Sequence, residues 1–130
     1  MTLRGRHPGG APVARLDGLP PLERRVIRCL RLWCAGPDGE RLAASFGELL
    51  QITAGNARRP LLGHALDCPC AGGDECIFAR FVALAAEGAR EEAVLIAALL
   101  VRADLALGLA SLAEGIGLGL MRSRTPRLYQ

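Results

Sequence analysis

Lysine is missing from this chain of 130 residues, and all sixteen basic side chains are arginine. Asparagine occurs only at position 56 and glutamine only at 51 and 130, a usage typical of GC-rich bacterial genomes and uninformative about fold. Aromatic residues make up 4% of the chain, and of its basic ends only the last carries one, Tyr129. Stacking platforms for single-stranded nucleic acid are therefore scarce. Strand-like alternation and hairpin signals are also lacking, so nothing in the pattern calls for a sheet. The apolar run from Ala93 is broken by Arg102 and Asp104, and the next by Glu114. Each piece falls short of the roughly 20 residues that a membrane-spanning helix needs. No charged segment followed by an apolar one opens the chain, so the expected compartment is the cytoplasm, where thiols stay reduced.

What is present centres on the stretch His64 to Cys76, which spaces one imidazole and three thiols as H-x3-C-x-C-x5-C. Zn2+ in structural sites takes four tetrahedral ligands from such groups, and Cys3His is a usual set. Pro69 keeps Cys68 and Cys70 extended, which directs both sulfurs to one face. Gly72-Gly73 allows the chain to reverse, and Asp74 can cap a helix beginning at Glu75. Cys76 then lies in the first helical turn, where the exposed N–H groups favour thiolate. On the wheel it faces the side of Arg80, away from Ile77, Phe78, Phe81, Val82 and Leu84. The expected metal ligands are His64, Cys68, Cys70 and Cys76. An iron–sulfur cluster would need a fourth thiolate from Cys29 or Cys34. Those two stand about 140° apart on a helix and read as core residues. Plain packing and thiol redox chemistry are the competing uses of the three loop cysteines.

The pattern H-x3-C-x-C at His64, Cys68 and Cys70 resembles the H-x3-C-x2-C of zinc-containing anti-sigma factors, with one spacer residue fewer. The resemblance covers only these few residues. It implies a zinc-bearing protein that binds a protein partner.

Around this loop the chain divides into a flexible basic arm over 1–19, a helical domain over 20–121 and a basic tail over 122–130. The arm has Pro8, Pro12 and Gly9-Gly10 without apolar periodicity. A first helix is expected from Pro20-Pro21 to about Cys34, with Leu22, Val26, Cys29, Leu30 and Trp33 inward and Arg24, Arg28 and Arg31 outward. After a turn at 36–39, Leu42, Phe46, Leu49 and Leu50 mark a second helix that ends by Gly55-Asn56. A helix from Glu75 to Glu87 should close at Gly88. The next, from Arg90, is apolar all round over 93–101 and so belongs in the middle of the bundle. The last is capped by Asp104, with a stripe of Leu105, Leu109, Leu112, Ile116 and Leu120. Its Gly108, Gly115 and Gly119 cluster on one face, which another helix should bury, within the bundle or across a homodimer.

The fold class is thus an all-α, single-domain bundle of about five helices, with the Cys/His loop before the third long helix. The expected function is a small cytoplasmic protein with a structural zinc site that acts as a protein-binding or regulatory module. A thiol-redox or metal-dependent enzyme using Cys68, Cys70 and Cys76 is the first alternative. Nucleic-acid binding through Arg24, Arg28 and Arg31 is the second. Four ligands from one loop would close the zinc shell, and no paired carboxylates or Ser/His/Asp set accompanies it, so the residues favour a non-enzymatic role.

Overall fold

The structure, a computed structural model, describes residues 12–34, 44–61 and 63–122. Five helices make up most of it: α1 (Pro21–Cys34), α2 (Ala44–Gly55), α3 (Gly73–Glu87), α4 (Arg90–Leu100) and α5 (Ala103–Arg122). The expected turn at 36–39, Leu42, and the ends at 1–11 and 123–130 lie outside the described residues.

The centre of the bundle is α3, which packs against α5, α1 and α4. Its buried residues include Phe78, Ala79, Phe81, Val82, Ala83, Ala85 and Ala86. The alanines bring neighbouring backbones close while the two phenylalanines fill the remaining volume, with Phe78 meeting Phe46 of α2 edge-on. At the far end Gly88 turns left-handed at φ 87°, and Gly88 and Ala89 return their N–H groups to the carbonyls of Ala85 and Leu84. That arrangement satisfies the last carbonyls of the helix, as the glycine there predicts.

Helix α4 does not occupy the middle. Only Ala93, Ala97 and Leu100 are buried within it, while Leu95 and Leu99 are 68% and 72% exposed. A chain composed of small and apolar residues satisfies its core through the alanine side of α4 and has leucines to spare.

The glycine face of α5 also differs from expectation. Nothing lies within 4 Å of where side chains at Gly108 or Gly115 would begin, and both are exposed. The close approach is made one face over, at Gly117. A Cβ there would stand 2.7 Å from Cβ of Ala86 and 3.2 Å from the carbonyl oxygen of Val82. Among the described residues, then, the crossing of α5 over α3 depends on Gly117. By length and composition α5 could also cross a membrane, but Ala106, Leu109, Ala110, Ala113 and Ile116 are buried within the bundle.

A short sheet appears where none was expected. Residues Pro12–Arg15 form β1 and pair antiparallel with β2 (Cys70–Gly72), placing Arg15 opposite Cys70 and Ala14 opposite Ala71. A single 3-10 turn over Leu16–Gly18 follows, and the N–H of Leu16 donates to the carbonyl of Pro69. The stretch 12–19 therefore belongs to the folded domain rather than to a loose arm, with Ala14, Leu16 and Leu19 packed against the core. Four residues paired with three carry too little alternation to be read from sequence, and the pairing is decided by the Cys loop.

Candidate functional site

Beneath the Cys/His loop lies a buried ion pair that the sequence did not reveal. Arg31 and Glu75 both have fully buried side chains. The guanidinium meets the carboxylate with two bonds, Nε to Oε2 at 2.8 Å and Nη2 to Oε1 at 2.9 Å. It also donates from Nη1 to the carbonyl of Cys68 at 2.8 Å and from Nη2 to that of Cys70 at 2.6 Å. Glu75 in turn accepts the backbone N–H of His64 at 2.8 Å and of Gly72 at 3.1 Å. One arginine and one glutamate thus join α1, both strands of the loop and the start of α3. Such a pair is tolerated in a dry interior only when its remaining donors and acceptors are met, as they are here.

Burial works to raise the Glu75 carboxyl, but the Arg31 guanidinium and the N–H groups of Gly72 and His64 outweigh it and hold the group below the usual carboxylate range. Burial likewise works to lower Arg31, and the Glu75 carboxylate with the Cys68 and Cys70 thiols nearby raises it instead. Both groups stay charged.

Three expectations are corrected by this network. Arg31 does not share an outward face with Arg24 and Arg28. It is 1% exposed and continues the buried side of Glu23 and Ile27, each four residues apart. Asp74 does not cap α3. The helix starts at Gly73 with Gly72 as its N-cap, and Glu75 at the third position returns its carboxylate to the Gly72 N–H, one half of a capping box. Asp74 instead accepts two bonds from Arg59, at 2.6 and 3.1 Å. Finally, with Glu75 turned inward, the opposite side of the first turn becomes the outer one. Ile77 is 41% exposed, and Cys76 is half-buried and packed against the core.

The expected ligands are brought together in part. His64 is buried, and its Nδ1 stands 3.4 Å from Sγ of Cys68. Cys70 opens β2 and is half-buried, with Ala71 and Gly72 buried after it. Cys76 lies toward the other end of α1. Burial raises its thiol first, and the carboxylates of Glu75 and Glu23 add to that. Among the described residues no group of three or more His, Cys, Asp or Glu side chains converges at metal-holding separation.

The two remaining cysteines also separate. Cys29 is a core thiol, pushed up to about 12 chiefly by burial and eased slightly by Arg25. Cys34 is exposed at the last residue of α1, and its Sγ lies 3.8 Å from where a Cβ on Gly63 would be. Burial of its sulfur and the Glu75 carboxylate both raise it. Above Cys68 a groove of about 450 Å3 is lined by Arg15, Arg24, Arg28, Leu66 and Asp67.

No known protein family, curated protein or solved structure matches this chain.

Proposed function

We propose that the protein is a small helical module whose Cys/His loop holds one Zn2+ ion and which acts by binding a protein partner. The observation that carries the first half is the His64–Cys68 separation. A tetrahedral zinc with a nitrogen at about 2.0–2.1 Å and a sulfur at about 2.3 Å places those two atoms about 3.6 Å apart. The ring and thiol stand 3.4 Å apart. Turning about its Cα–Cβ bond moves a cysteine sulfur by about 3 Å between staggered positions, and that is the movement by which further thiols would join the ion. The ion itself would supply structural cross-linking. Arg31 beneath the loop offsets the negative charge that thiolates bring.

Support for the second half is the apolar surface that the bundle leaves outward on its last two helices, at Leu95, Leu99, Leu107 and Met121. A second copy or a different protein would cover it.

Thiol chemistry is the other reading with an observation of its own. The same His64–Cys68 contact is a hydrogen bond between an imidazole and a thiol, and Cys68 lines the arginine groove. Nucleic-acid binding through the α1 arginines has less to rest on, since Arg31 is withdrawn into the ion pair.

Elemental analysis of the full chain, purified without added metal, separates these readings. About one zinc per chain, lost in His64→Ala, is the expected result. Protein that contains no metal and takes up none, with Cys68 reacting readily with alkylating agents, would favour thiol chemistry. Sedimentation of the same preparation at several concentrations reports whether the outward leucines meet a second copy.

A further inference from the structure

From the position of Cys34 we infer that the fourth zinc ligand comes from α1 and not from α3: the metal set is Cys34, His64, Cys68 and Cys70, with Cys76 outside it. This rests on the zinc reading above and replaces one residue of the set expected from spacing.

Three observations place Cys34 beside the loop. It stands three residues after Arg31 on the same helix, and side chains at that spacing share a side. Arg31 reaches the carbonyls of Cys68 and Cys70, so the side they share is the one that faces the loop. Its sulfur lies 3.8 Å from the Cβ position of Gly63, the residue preceding His64. The same Cβ position is 3.6 Å from Oε2 of Glu75, the atom that accepts the His64 N–H. Cys34 therefore flanks the segment that carries the imidazole. It is an exposed residue at the end of its helix, and its sulfur lies on the side of Gly63.

Cys76 lacks these relations. It follows Glu75 by one residue, which rotates it about 100° away from the ion pair. Besides its neighbour Glu75 it lies within the influence of Glu23, which stands eight residues or about 12 Å of helix before Arg31.

On binding, Zn2+ displaces one proton from each of three thiols and takes a lone pair from neutral His64. The coordinated group carries one net negative charge and three protons pass to solvent. No oxidant is involved. The ion then joins the end of α1 to the loop, where the ligands expected from spacing would have closed a loop upon itself.

Cobalt(II) titration of the full chain, followed by zinc competition, tests the assignment. In Cys34→Ser the zinc affinity should fall on the order of a hundredfold or more, and the sulfur-to-cobalt absorption should drop by about one-third, because one of three thiolates is gone. Cys76→Ser should bind like the parent. In unsubstituted protein, zinc should slow alkylation at Cys34 and leave the rate at Cys76 unchanged, as read by peptide mass. Loss of affinity in Cys76→Ser that equals or exceeds the loss in Cys34→Ser overturns the inference while the zinc site stands. A parent that binds neither cobalt nor zinc removes the zinc reading itself, and this inference with it.

Discussion

Replacing Arg31 with methionine tests whether the ion pair beneath the loop is structural. Methionine keeps much of the buried aliphatic volume and removes every donor. Glu75 would lose two of the four hydrogen bonds it accepts, leaving only those from the His64 and Gly72 N–H groups, and the carbonyls of Cys68 and Cys70 would lose theirs. Removing one partner of a buried pair costs about 3–5 kcal/mol, since the other charge stays behind. An unfolding entropy of about 2.1 cal/mol/K per residue over 130 residues converts this to a melting temperature lower by about 11–18 °C. Arg31→Lys should cost nearly as much, because an ammonium cannot make the paired contact with a carboxylate and also span two carbonyls. Combining Arg31→Met with Glu75→Leu removes both charges, so the double variant should recover part of the loss and show a coupling of about 2 kcal/mol. Urea unfolding monitored by circular dichroism of the parent, both Arg31 variants, Glu75→Leu and the double variant gives the five stabilities needed. An Arg31→Met protein within about 1 kcal/mol of the parent would refute the reasoning, as the carboxylate would then have found water.

Acid is expected to weaken the fold in a defined window. The folded Glu75 carboxyl is held below its unfolded value, so its contribution is complete above the ordinary carboxylate range near 4.3 and is lost as pH falls through the lower folded value. Urea midpoints should hold steady down to about pH 5 and fall below about pH 4, with a shallower fall in Glu75→Gln; parallel curves would assign the acid loss to other groups. Two glycine substitutions on α5 should act in opposite directions. Gly117→Ala overpacks the contact with Ala86 and Val82 and should cost about 1–3 kcal/mol, whereas Gly115→Ala meets open space and should gain up to about 1 kcal/mol. Equal stabilities by urea unfolding would mean that α5 can shift away from α3 without loss.

The helices were legible where apolar residues recur at helical spacing. Pro21–Cys34, the end of α2 at Gly55 and the closure of α3 at Gly88 follow the periodicity and the glycine and proline signals. What the pattern could not supply is which of several apolar sides wins. Helix α4 is apolar all round over 93–100, and packing used its alanines; α5 has four glycines, at 108, 115, 117 and 119, and close contact used the one at 117. The ion pair was hidden for a different reason. Arg31 lies between Leu30 and Leu32 in sequence, and a charged residue there reads as solvated until a carboxylate 44 residues later is known to meet it. His64 with Cys68 was legible because their spacing of four is local. Cys34 was not, because its relation to the loop depends on how α1 lies against α3.

The arrangement also explains what sets the course of the Cys/His loop. The loop backbone is held by protein atoms alone: Arg31 bonds the carbonyls of Cys68 and Cys70, Glu75 bonds the N–H groups of His64 and Gly72, and Leu16 bonds the carbonyl of Pro69. Those links fix the backbone of the residues from His64 to Gly72. The helices below share one continuous apolar cluster that includes Ile27, Leu49, Phe78, Val82 and Leu109 and makes no use of the thiols that face the loop. A metal held by the loop as proposed would add one connection to a fold whose core is already built. This differs from a small zinc finger, in which the ion substitutes for a core that the chain is too short to build. Here the core exists, and the Arg31–Glu75 pair holds the course of the chain from His64 to Glu75.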